Sequence, residues 1–150
     1  MPADHLGHVH LKVTDPERAV EFYRDVLGLE VTERVDRYAF LTFGEHHHDL
    51  ALQGIGAPET DDDVPATPRG PGVGLYHSAW EVESTDALRE TAERLRERDV
   101  PFSPVDHGIS KALYFDDPDG NGVEVYLDTR AERDIEQWDG RNEQFDPFAI

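Results

Sequence analysis

Apolar and polar residues alternate along "LGHVHLKV", residues 6–13, and the run ends in β-formers, which predicts a strand. The period then changes. In "TDPERAVEFYRDVLGLEV" the residues Ala19, Val20, Phe22, Tyr23, Val26 and Leu27 make one apolar stripe of a helix. Thr14 or Asp15 is its N-cap, Pro16 sits near the first helical position, and Gly28 lies at the C-terminal end. Two further strands are expected around Tyr38–Phe43 and Asp49–Gln53. Residues 54–74, rich in Gly, Pro and Asp, read as a surface loop or linker.

After the linker the pattern restarts. "YHSAWEV" mirrors "GHVHLKV", with His77 falling where His8 fell and Val82 where Val13 fell. A capped helix, "STDALRETAERLRERDV", comes next, then strands around Ile109–Phe115 and Gly122–Leu127, joined by the turn-forming "DDPDGNG". The chain is therefore two copies of strand–helix–strands, and such internal repetition means two similar structural units. The remainder, residues 129–150, is an acidic tail whose candidate anchors are Trp138, Phe145 and Phe148; no pattern says what it packs on.

Composition narrows the chemistry. The 150 residues suit one domain, large enough for a core without covalent staples. There is no cysteine, which excludes disulfides, thiolate metal sites and a thiol nucleophile. No apolar run approaches the roughly 20 residues of a membrane span, and "MPADHLGHVH" has neither the basic nor the apolar part of a secretory signal. A soluble, cytoplasmic protein is expected. Asp and Glu total 33 against 14 Lys and Arg, for a net charge of −19. That balance argues against nucleic-acid and anionic-membrane partners. With 37% hydrophobic residues in periodic segments, a folded domain under a carboxylate coat fits better than disorder. The coat resembles the composition of halophilic proteins, where salt screens the repulsion.

"GEHHHDLALQ", residues 44–53, raises the question of a metal site. Adjacent strand residues point to opposite faces, so His47 and His48 do not make a chelate by adjacency. His8 and His77 are better placed, because the repeat puts them at equivalent positions. Glu124 lies on the last strand of the second repeat, sharing a face with Tyr126 while Val123, Val125 and Leu127 take the other. Two imidazoles and a carboxylate form the ligand set that binds Fe(II) and leaves open positions. The ordinary alternative is a pair of half-buried, hydrogen-bonded histidines and a solvent-facing glutamate.

"GHVHLKVTDPERAVEFYRDVLGLEV", "YHSAWEV" and "YFDDPDGNGVEVY" together resemble the vicinal oxygen chelate superfamily of glyoxalases, methylmalonyl-CoA epimerases, extradiol dioxygenases and antibiotic-resistance binders, over about residues 6–128. The resemblance implies an α+β fold of two βαβββ modules, about 5–55 and 75–128, forming a split eight-stranded sheet around a central cavity. It implies metal ligands at His8, His77 and Glu124. "HHDLAL" resembles the extradiol dioxygenases, which makes His48 the acid–base residue and leaves His46 and His47 as solvent-facing turn residues. "DHGISKALYF" resembles their segment with a histidine near the metal, here His107, and Tyr114 stands ten residues before Glu124, as is typical there.

The expected reaction is extradiol cleavage of a catecholic ring. Its partners are a small aromatic diol, O2 and further copies of the chain in a homodimer or larger homo-oligomer. Fe(II) is the expected cofactor, with Mn(II), Zn(II) or Ni(II) as alternatives. Two other readings stay open: a glyoxalase-like lyase or isomerase with a fourth ligand near Gln53, and a metal-free drug binder. Most extradiol dioxygenases have four such repeats; this sequence shows one pair, with an unusually long loop between His48 and His77.

Overall fold

A computed structural model of the protein describes residues 2–57 and 72–150. The expected linker falls largely outside the described residues. The chain divides into two compact units, Met1–Ala66 and Thr67–Ile150.

In the first unit β1 (Val9–Val13) leads into α1 (Pro16–Leu27). Asp15 is the cap: its carboxylate accepts the Glu17 backbone N–H at 2.9 Å, so one of the helix's unpaired donors is satisfied. Gly28 closes the helix in the left-handed region at φ 80°, its N–H bonded to the Arg24 carbonyl. Ala19, Val20, Phe22, Tyr23 and Val26 are buried against a sheet of β1, β2 (Glu30–Val35), β3 (Tyr38–Thr42) and β4 (Leu50–Gly54). The strand order is β1-β4-β3-β2, with β1 parallel to β4 and the other pairs antiparallel. Leu11, Val13, Ala39, Leu41, Leu50 and Leu52 complete this core, and each large side chain so buried stabilises by about 1.5–3 kcal/mol.

β1 and β2 depart most from expectation in this unit. β1 begins at Val9 rather than near Leu6, which is 81% exposed and gains nothing from pairing. β2 was not legible at all. Every one of its residues is exposed, so it has no half-buried face and no alternation. Pairing with β3 alone defines it, with a bulge between Val31 and Glu33.

The second unit repeats the plan. β5 (Ser78–Val82) is followed by α2 (Thr85–Glu97), β6 (Ser103–Asp106), β7 (Ser110–Asp116) and β8 (Gly122–Asp128). Ser84 caps α2 by accepting the Ala87 N–H at 3.1 Å, and Leu88, Thr91, Ala92 and Leu95 are its buried residues. The order β5-β8-β7-β6 reproduces the first sheet, and a short α3 (Arg130–Arg133) opens the tail. The tail then adds β9 (Glu143–Gln144), antiparallel to β6, so the described sheets have four and five strands rather than eight in all. Farther on, Phe148 packs its ring on Phe102 and under the Arg96 guanidinium, 4.3 Å from the ring centre. Phe145 faces the Lys111 ammonium at 5.8 Å. Among the described residues no helix is long and apolar enough to cross a membrane.

Candidate metal and acid–base site

In each unit most apolar side chains of the sheet lie on one face, leaving a second face that carries the candidate residues. On β8, Val123, Val125 and Leu127 are buried while Glu124, Tyr126 and Asp128 are partly exposed on the other side. Tyr114 of β7 lies directly opposite Glu124. The turn between these strands sets that register. Buried Asp117 accepts the Asp119 and Asn121 backbone N–H groups and the Asn121 amide, each at 2.9 Å. Gly122 opens β8 because a Cβ there would meet the Tyr76 carbonyl at 2.6 Å and the His77 Cβ at 3.1 Å.

Four side chains join across this face. His77 Nε2 lies 2.9 Å from Glu124 Oε2. The Tyr114 hydroxyl donates to Glu124 Oε1 at 3.1 Å, and His107 Nε2 is 2.8 Å from the same hydroxyl. Burial, then the Glu124 charge, pushes the Tyr114 phenol well above its ordinary range, so it stays a protonated donor. An open depression of about 430 Å³ adjoins Glu124, lined also by Ala79, Ile109, Tyr126, Arg130 and Glu136.

The His77–Glu124 separation is an ordinary hydrogen-bond distance that is also compatible with two ligands of one cation. Two donors each about 2.1 Å from one ion, at right angles, stand about 3.0 Å apart, and these stand 2.9 Å apart. Among the described residues no group of three or more His, Asp or Glu side chains gathers as a complete metal site. His8, the third expected ligand, belongs to the first unit and, like His77, stands one residue before its first strand.

In the first unit His8 packs on His48, ring centres 4.4 Å apart, and His48 also meets Phe40 at 5.0 Å. His48 is half-buried, and its Nδ1 shares a hydrogen with His47 Nδ1 at 2.9 Å. Burial, then the neighbouring His8 and His47, lowers its pKa, which keeps the ring neutral and able to take a proton. His46 and His47 are exposed, as expected of turn residues, and His47 pairs with Glu33 at 3.0 Å.

Strand pairing corrects the expectation for Gln53. Glu124 is the partner of Ala79 on β5, and the matching pair in the first sheet is His10 with Ala51. Ala51, not Gln53, therefore occupies the position that Glu124 has in the second unit. Gln53 is held elsewhere, its Oε1 3.0 Å from His10 Nε2.

Sequence reasoning missed the tail's part in the site. His107 Nδ1 faces Asn142 Oδ1 at 2.7 Å, and buried Asp106 beside it is gripped by Arg133. That ion pair holds the Asp106 carboxyl at about 2. No periodicity in the tail announces these contacts, which span 27 to 35 residues of chain.

Two βαβββ units of one strand order in one chain define a class of paired-module proteins. The chain belongs to the Glyoxalase/Bleomycin resistance protein/Dioxygenase superfamily, whose model matches residues 5–125. It is 35% identical over 124 residues to the catechol-2,3-dioxygenase of Bacillus subtilis, covering 83% of this chain and 41% of that protein. It is 34% identical to the biphenyl-2,3-diol 1,2-dioxygenase 2 of Rhodococcus globerulus, covering 82% and 62%. The chain thus spans only part of the length of either. At 28% identity it is similar to the lactoylglutathione lyase of Escherichia coli O157:H7, covering 87% and 97%. Among solved structures it superposes on the fosfomycin resistance protein FosX of Listeria monocytogenes with a TM-score of 0.65, at 19% identity, covering 87% and 98%, which is a likeness of fold.

Proposed function

We propose that the chain is the catalytic module pair of a metal-dependent extradiol-type dioxygenase that opens a catecholic ring with O2, using His8, His77 and Glu124 as metal ligands. The observation that carries this reading is Ala51 at the position matching Glu124. A glyoxalase-type site takes a fourth ligand from the first module's last strand, and alanine has no donor to offer. Three protein ligands rather than four would leave room on a bound ion for the diol and O2. The names of the two relatives near 35% identity support the same reaction class.

Fe(II) or Mn(II), when bound, would relay electron density from the diol to O2, a reaction that the closed-shell diol and triplet oxygen undergo only slowly by themselves. The chain's own residues manage protons and orientation. His48, kept neutral by burial and by two neighbouring imidazoles, takes a hydroxyl proton from the diol and returns one during ring opening. Tyr114 keeps its hydrogen and orients the Glu124 carboxylate. His107 Nε2 faces the Tyr114 hydroxyl at 2.8 Å.

A lyase reading has in its favour the similarity, at 28% identity, to the E. coli lactoylglutathione lyase. Anaerobic reconstitution with Fe(II), followed by oxygen uptake with a panel of catechols, tests the choice. Uptake coupled to loss of the aromatic absorbance is expected; metal binding without uptake on any catechol would overturn it.

A further inference from the structure

The hydrogen-bond chain of the second unit does not end at His107. Its Nδ1 faces two oxygens of the tail, Asn142 Oδ1 at 2.7 Å and the Arg141 carbonyl at 3.3 Å. A carbonyl oxygen has no hydrogen to give, so these contacts call for an Nδ1–H. Nε2 is then the one position at which the neutral ring accepts a proton, and it lies 2.8 Å from the Tyr114 hydroxyl.

The tail grips this ring through the residues on both sides. Asp106, 5% exposed, takes Arg133 through bonds of 2.7 and 2.8 Å and has Arg141 at 3.6 Å. The Gly108 carbonyl accepts from Thr129 at 2.7 Å and from Arg133 at 3.0 Å. Glu143 and Gln144 pair with Asp106 and Val105. The Trp138 indole donates at 3.0 Å to the same Arg141 carbonyl that faces His107, which fixes where that oxygen points.

We propose that the tail is a working part of the site and that Asn142 is a positioning residue, holding His107 in the Nδ1–H tautomer with Nε2 presented to Tyr114 as an acceptor. The consequence follows from counting hydrogens. Tyr114 has one hydroxyl hydrogen and two acceptors in reach, His107 Nε2 at 2.8 Å and Glu124 Oε1 at 3.1 Å. With Nε2 bare, the hydroxyl can turn that hydrogen to the carboxylate or to the imidazole. With Nε2 protonated in a neutral ring, the hydrogen is pinned on Glu124. Histidine in water favours the Nε2–H form, so the Nδ1–H form needs a partner such as Asn142.

The catalytic part of this inference rests on the dioxygenase reading; the tautomer does not. The test uses the ¹⁵N-labelled, metal-free chain, with long-range ¹H–¹⁵N spectra at a pH where the ring is neutral, and His107 assigned by the signal missing from His107→Gln. Asn142 is exposed, so substitution there leaves the core alone. Wild type and Asn142→Asp, which keeps an acceptor oxygen, are expected to show Nδ1–H. Asn142→Leu is expected to pass to Nε2–H, and with catechol and Fe(II) to lose kcat about 10–100-fold at unchanged KM, with Asn142→Asp restoring it. An unchanged tautomer in Asn142→Leu overturns the proposal, as does full kcat with the tautomer switched. A wild type that binds metal but cleaves no ring sinks the dioxygenase reading, and the spectra still decide the role of Asn142.

Discussion

The two units share one plan and differ at the positions proposed for the site. His8 and His77 occupy one pair of matching places. Beside them the first unit has Ala51 opposite Phe40, and the second has Glu124 opposite Tyr114. A carboxylate and a phenol on one sheet thus stand where the other has a methyl and a phenyl. Histidines are also unequally shared: His5, His8, His10, His46, His47 and His48 against His77 and His107. Yet the continuous chain His77–Glu124–Tyr114–His107 belongs to the unit poorer in histidine. The repeated backbone sets equivalent positions, and the few residues placed there decide what each does. The first unit keeps a half-buried neutral imidazole, suited to proton transfer. The second keeps a carboxylate and the hydrogen bonds that aim it.

The largest expected effect removes the difference outright. Glu124→Ala makes the second unit resemble the first at this position, and iron content after reconstitution and oxygen uptake should both fall to background. Retained metal would show that the units do not differ in ligation. Next is the proton-transfer side. His48→Ala should keep its iron yet slow ring cleavage by about 10²–10⁴-fold, the usual worth of one acid–base group; an unchanged rate would leave the first unit without a catalytic role.

A smaller effect falls on the tail, which only the second unit has. Asp106→Asn breaks a buried pair and should cost about 3 kcal/mol in urea unfolding. The same pair gives a pH signature. Arg133 lowers the Asp106 carboxyl from 3.8 to about 2, so its stabilisation is present above pH 3.8 and lost as pH falls through 2. Wild type should lose about 2 kcal/mol more than Asp106→Asn across that window; parallel curves would show that the pair contributes nothing. The smallest effect is a null. Gln53→Ala should leave metal affinity unchanged, and weakened binding would return Gln53 to the ligand set and revive the lyase reading.

Much of this was legible in the chain itself. The stripe from Ala19 to Val26, the Asp15 and Ser84 caps and the "DDPDGNG" turn act through residues near in sequence, so local pattern predicts α1, α2 and the β7–β8 hairpin. Internal repetition matched His8 with His77, and alternation separated Glu124 from its apolar neighbours. Three features needed the folded protein. β2 has no buried face, so no period marks it. Residues 51 and 53 share one face of β4, and a period of two does not distinguish them; only the pairing of Ala51 with His10 identifies the match to Glu124. The tail's hold on His107 joins groups 34 and 35 residues apart through single hydrogen bonds. Local pattern records which face a side chain turns to, whereas register and long-range partners are settled only when strands pair and the tail docks.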